Sequence, residues 1–315
     1  MYIRKLVKSG LSSLVVALPK SWIKDNSMKG GDEIYIEEID NYLRLTADIK
    51  KKGISDRVKT IDVDNKPLDF IFREITCAYL NDYMHIVLKG ETLPKKIKSY
   101  KKRIAEFIAL EVVEEEAKKI TARSFLNIHD IDLQVLMRRM DNIVRSMIAD
   151  TKSVDDKELL LAIGDRDREL NKLHYVVIKI LKSAQARRDV QESLNLERLN
   201  IMKYWELNMM LEKIGDRIKY IASEVSGLKK SEHGDFLSLF TEISAFYVEV
   251  MNAFYSNSTK DAIEASIKRE ALMKKIEDYD KKSQSASSTR LTIDIFNMLS
   301  HIGDITKIVT FIQDE

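Results

Sequence analysis

Apolar residues change their spacing twice along the chain. Over residues 3–47 they fall in short runs rich in β-branched side chains, which predict strands at Ile3–Val7, Ser12–Leu18, Glu33–Ile39 and Tyr42–Thr46. Ser9-Gly10 and Asp40-Asn41 supply turns, Pro19 opens a short helix through Trp22 and Ile23, and Gly30-Gly31-Asp32 ends it. A basic linker, Lys50-Lys51-Lys52-Gly53, follows. From 60 to 124 strands alternate with helices. Thr60–Val63 precedes a helix opened by Pro67, with Leu68, Ile71, Phe72, Ile75, Ala78 and Tyr79 at helical spacing. Met84–Leu88, a helix over Lys95–Ile108, and strands Leu110–Glu114 and Lys119–Arg123 complete a small α/β unit.

Beyond Asp130 the chain contains no proline, and apolar positions recur at i, i+3, i+4 and i+7. Six helices are expected, at about 132–151, 155–187, 191–227, 234–256, 260–282 and 287–313. The hexapeptide Leu211-Glu212-Lys213-Ile214-Gly215-Asp216 returns as Leu299-Ser300-His301-Ile302-Gly303-Asp304, 88 residues later. Each copy closes a group of three helices, so this half reads as two related three-helix units. The expected division is 1–50, 51–130, 131–230 and 231–315.

Composition agrees with a helix-rich chain. The 315 residues include only 3 prolines and 10 glycines, with 44% hydrophobic and 32% charged residues, a foldable and water-compatible mixture. The single Cys77 excludes an intramolecular disulfide framework and a multi-cysteine zinc site. No apolar run reaches the ~18 residues of a membrane span, and Lys8, Lys20 and Lys24 interrupt any signal-peptide core. A cytoplasmic protein without an integral membrane segment is expected.

The net charge of +2 is uninformative, but residues 1–60 carry twelve basic against eight acidic side chains. That excess points to an anionic partner at the N-terminus. A second basic run, Lys95, Lys96, Lys98, Lys101, Lys102 and Arg103, reads more simply as a solvated helix face. Four short strands and one helical turn are too little to bury a good core alone, so two copies are expected to interleave their hairpins.

The order basic strand, small turn, apolar strand, Leu18-Pro19-Lys20, helix, Gly31-Asp32, strand resembles the AbrB/MazE/SpoVT swapped-hairpin family. The resemblance implies a homodimer built by a swapped-hairpin β-barrel. It also implies double-stranded DNA bound by Arg4, Lys5 and Lys8, with Ser12 and Ser13 near phosphates. Lys and Arg are suited to this, because they release counterions from phosphates and Arg can read guanine. Solvated hairpin charges on a domain that only dimerises, or grips a protein, remain the alternative.

Glu212 and Asp216 lie one helical turn apart on one face, a spacing at which hard oxygen ligands can share a cation. The stretch from Leu211 through Glu224, together with Asp167-Arg168-Glu169-Leu170-Asn171, resembles the signature helices of PhoU, a regulator of phosphate uptake. The whole chain resembles an archaeal-type fusion of the two families, its C-terminal half an all-α pair of three-helix PhoU-like bundles. By that resemblance Asp167, Asn171, Glu212 and Asp216 would hold a divalent metal (Mg, Mn, Fe or Zn). In the second copy Ser300 replaces Glu212, Arg269 and Met273 are paired with Asp167 and Asn171, and only Asp304 survives.

His174 and His301 lack ligand partners at i+3 or i+4, His85 in a strand and His129 at a helix entry form no nucleophile pattern with Cys77, and Met202, Met209 and Met210 read as bundle core. No Ser-His-Asp series or phosphate-cradling loop occurs, so no enzyme is expected. The expected function is a DNA-binding transcriptional regulator tied to phosphate uptake or metal status. Its rival is an adaptor for a phosphate transporter or sensor kinase, with the hairpins used only to dimerise.

Overall fold

The structure is a computed structural model, and it describes residues 3–10, 13–39, 42–47, 57–153, 156–225, 227–282 and 285–312. The chain divides into two compact units, Met1–Arg57 and Val58–Glu315.

In the first unit β1 (Val7–Ser9) pairs antiparallel with β2 (Ser13–Val15), Lys8 opposite Leu14, across a turn in which Gly10 takes φ +73°. That left-handed backbone suits a residue without Cβ. β1 begins only at Val7, where the expected strand Ile3–Val7 ends, and takes in Ser9 of the expected turn, while β2 is shorter than the expected Ser12–Leu18. α1 (Lys20–Asp25) starts after Pro19 as expected, and β3 (Tyr35–Ile39) pairs with β4 (Tyr42–Thr46), Ile39 opposite Tyr42. Asp40, Asn41 and the basic linker at 50–53 lie outside the described residues. Among the described residues the four strands form two separate two-stranded sheets, not a closed barrel. Among the residues from 3 to 47 whose exposure is described, which leave out Glu37, Ile39 and Tyr42, none is buried, and Leu6, Leu14, Ile36 and Leu43 are each more than 60% exposed.

The second unit opens with a four-stranded sheet ordered β5-β6-β8-β7, from β5 (Val58–Asp62), β6 (His85–Lys89), β7 (Leu110–Glu116) and β8 (Lys119–Ser124). β5 and β6 are parallel because α2 (Leu68–Leu80) carries the chain between them, whereas β7 and β8 form an antiparallel hairpin. Ile61, Ile86, Leu88, Ile120 and Ala122 are buried in one cluster with Ile71, Ile75 and Tyr79 of α2 and Tyr100 of α3 (Leu93–Ile104). α3 ends four residues earlier than its apolar spacing suggested. The chain leaves the helix there and buries Phe107 in the core, and Ala109 turns with φ +57°.

The helical part comprises α4 (Leu133–Thr151), α5 (Lys157–Ala186), α6 (Arg188–Ser193), α7 (Arg198–Val225), α8 (His233–Ser256), α9 (Thr259–Lys282) and α10 (Ala286–Phe311). Local chemistry sets several ends. Asp132 and Asp156 accept hydrogen bonds from the first-turn amides of α4 and α5, Ser285 closes a capping box on α10, and Asn257 ends α8 in the left-handed conformation. The expected single helix at 191–227 is two, broken where Asn195 adopts φ +48°, a conformation Asn tolerates better than most residues. α4, α5 and α7 pack together, as do α8, α9 and α10, with α7 against α10 and one continuous core through both groups.

The sheet is fastened to the first helical group by α5. Phe107 lies 5.3 Å from the Tyr175 ring, and the ammonium of Lys179, only 1% exposed, reaches Ser124 Oγ at 3.1 Å and Asp82 at 3.2 Å. Burial lowers the pKa of Lys179 and the Asp82 carboxylate counters it. Among the described residues no helix is long and apolar enough to cross a membrane.

Candidate functional site

The acidic residues singled out in the sequence converge between α5 and α7. Asp167 and Asn171 sit one turn apart on α5, and Asn171 Nδ2 donates to Asp167 Oδ2 at 3.5 Å. Glu212 and Asp216 sit one turn apart on α7, close enough to Asp167 that both carboxylates raise the pKa of Glu212. Burial is the larger cause of that rise, and burial likewise lifts Asp167, which is 7% exposed, above its ordinary range.

What brings the two helices this close is Gly215. A Cβ there would fall inside the side chain of Leu170, which crosses from α5. The second copy repeats the device, with Arg269 crossing at Gly303. Arg269 therefore answers to Leu170 in the first copy, not to Asp167 as the sequence pairing had it. Its guanidinium donates to Ser300 Oγ at 3.3 Å.

Sequence reasoning missed the residue at the centre of this cluster. Lys219, one turn beyond Asp216, donates to Asp216 Oδ1 at 2.7 Å and to Asp167 Oδ2 at 2.8 Å, spanning the two helices. Burial works against its charge, but the two carboxylates more than offset this and hold its pKa above the ordinary lysine range. Its i+3 spacing from Asp216 was the available signal, since i and i+3 share a helix face. The Asp167–Asn171 face continues to His174, 7% exposed, whose pKa is lowered by burial, an effect that the neighbouring Asn208 of α7 and the Asp216 carboxylate only partly oppose. A polar seam thus runs between α5 and α7 inside an otherwise apolar bundle.

The cluster tests poorly as a resident divalent-metal site. An ammonium stands between two of the three carboxylates, where a shared cation would have to lie. Among the described residues no group of three or more His, Cys, Asp and Glu is arranged to hold a metal ion.

The residues assigned to DNA lie in the first unit. Lys8 is in β1 and Ser13 in β2, Arg4 and Lys5 precede β1, and all four are exposed. Ser12 lies outside the described residues. In the second basic run Lys101 pairs with Glu115, while Arg103 pairs with Glu106, donates to Thr76 Oγ1 at 2.8 Å and lies over the Phe107 ring at 5.2 Å. Lys95, Lys96, Lys98 and Lys102 are exposed, a solvated face as expected. Of the methionines, Met210 is buried, but Met202 is 47% exposed and outside the core. His129 is a surface residue bonded to Ser193 Oγ at 3.0 Å.

No curated protein and no solved structure matches this chain. A family comparison does: the PhoU domain matches residues 137–225, which take in all of α5, α6 and α7 and most of α4, and with them the whole acidic cluster.

Proposed function

We propose that this chain is a homodimeric, DNA-binding regulator of the PhoU type, linked to phosphate uptake. The match of 137–225 to the PhoU domain supports a regulatory role in phosphate uptake for the helical half, and a regulator rather than an enzyme. The observation that carries the rest is the uncovered state of the first unit. Leu6 just before β1 and Leu14, Ile36 and Leu43 in the strands stand mostly in water, and none of the strand residues whose exposure is described is buried. Apolar strands in that condition gain by pairing with a second copy, which hides the surface and presents Arg4, Lys5 and Lys8 twice about a two-fold axis. A duplex offers phosphates with matching symmetry. A ligand or partner on the helical half alters DNA affinity only if it binds two arrangements of the dimer unequally.

The test is a fluorescence-anisotropy titration of the full chain on the DNA upstream of its own gene, at two salt concentrations, with sedimentation to measure the oligomer. A dimer that binds this DNA above random sequence, with a steep salt slope lost in Arg4→Ala/Lys5→Ala, is the expected result. A dimer with no binding beyond the random level refutes DNA recognition. It leaves the second reading, which the PhoU match itself favours: an adaptor for a phosphate transporter or sensor kinase. In that case a transporter or kinase component co-purifies with the chain.

A further inference from the structure

We infer that Lys219 is a built-in replacement for a divalent cation, so that the carboxylates of the first three-helix group are joined by the chain's own ammonium and take up no metal. A metal ion shared between α5 and α7 would have to neutralise Asp167 and Asp216 together and draw the two helices into register. Lys219 does both, with bonds of 2.8 Å and 2.7 Å to one carboxylate on each helix. A hard divalent ion asks for several oxygen ligands in a close shell around it. Here one oxygen of Asp167 and one of Asp216 accept from the Lys219 ammonium, and an entering ion would meet that like charge within a few ångströms.

The second group supports the same conclusion independently. Lys307 stands 88 residues after Lys219, the same offset as the Ile-Gly-Asp copies, and its ammonium reaches Asp304 Oδ1 at 2.7 Å. Where the first group has Glu212 the second has Ser300, bonded by Arg269. Both repeats therefore satisfy the motif aspartate with a lysine three residues on. The loss of a carboxylate in the second repeat is accompanied by a second basic side chain. The duplicated feature is an ion pair between the motif aspartate and a lysine three residues on, partly buried across two helices only in the first copy, with a cation supplied by the sequence and so independent of metal supply.

The experiment titrates the full chain with Mn²⁺ alone by calorimetry, and records thermal denaturation with added Mn²⁺ or EDTA. The wild type is expected to show no saturable uptake and a melting temperature that neither addition moves. Lys219→Met removes the ammonium and frees the side chains of Asp167, Glu212 and Asp216 to turn onto one cation; it is expected to bind one Mn²⁺ per chain at least ~10-fold more tightly than any uptake by the wild type. Asp216→Asn in the same background abolishes that uptake. If Lys219→Met folds only when Mn²⁺ is supplied, that too is the expected behaviour. Should it not fold at all, Lys219→Gln, which keeps a donor but no charge, takes its place and is expected to gain Mn²⁺ affinity. Saturable uptake by the wild type that Glu212→Gln removes would overturn the inference. So would a folded Lys219→Met or Lys219→Gln that gains no affinity.

Discussion

Replacing Gly215 by alanine pits two effects of known size against each other. In an exposed helix interior the change stabilises by about 1 kcal/mol, since Gly loses more backbone freedom on folding. At this position the new methyl occupies space held by Leu170 Cδ2, while Leu170 Cγ at 3.8 Å and Met147 Cε at 4.0 Å stay in ordinary contact. Leu170 is 1% exposed and has nowhere to move without disturbing the α5–α7 packing. Inserting a methyl into such a site costs about 1–3 kcal/mol, so a net loss of about 1 kcal/mol is expected. Leu170→Ala alone opens a cavity at a cost of about 2–5 kcal/mol. In the double variant the Gly215→Ala methyl partly fills that cavity, and the combined loss falls short of the sum by about 1 kcal/mol or more. Guanidinium denaturation followed by far-UV circular dichroism reads all three. A Gly215→Ala protein as stable as wild type, or strictly additive losses, would refute the close-approach argument. Gly303→Ala costs less, because the side chain it meets is Arg269, which is partly exposed and can swing aside.

Two further outcomes follow from buried polar groups. The fully buried Tyr247 of α8 donates to Asp141 Oδ1 at 2.8 Å, and Arg145 Nε donates to the same oxygen at 2.9 Å, so this bond joins the two helical groups through a carboxylate 2% exposed. Tyr247→Phe removes a charge-assisted donor and is expected to cost about 1.5–3 kcal/mol by the same denaturation assay; a change under about 0.5 kcal/mol would show that Arg145 alone satisfies Asp141. His174 has a folded pKa below the ordinary imidazole value because it is buried between α5 and α7, an effect that Asn208 and the Asp216 carboxylate only partly oppose. As pH falls below ~6.5 the unfolded chain binds a proton there that the folded chain does not, so stability declines toward acid. His174→Gln is expected to flatten the decline between pH 7.5 and 5.5, taken as roughly one unit either side of that pKa. An unchanged slope would place the sensitivity elsewhere.

The sequence by itself determined the elements and the duplication, because both depend on neighbours in the chain. Helical spacing, Pro67 before α2 and the Ile-Gly-Asp copies are local facts, and most of the long helices formed within a few residues of where they were read. The break at Asn195 and the early end of α3 were less legible, since apolar spacing runs through both and only backbone conformation and the burial of Phe107 interrupt the helices. The candidate site divides in the same way. That Asp167, Asn171, Glu212 and Asp216 share helix faces follows from their spacing. That Lys219 stands between Asp167 and Asp216, and that Arg269 answers to Leu170, depends on how α5 meets α7 and α9 meets α10. Those registers are set by glycines that admit one particular side chain from the opposite helix, a steric condition between residues 45 apart at Gly215 and Leu170 and 34 apart at Gly303 and Arg269. Spacing along a chain says which residues face the same way; which charges then meet across a helix pair is decided by packing.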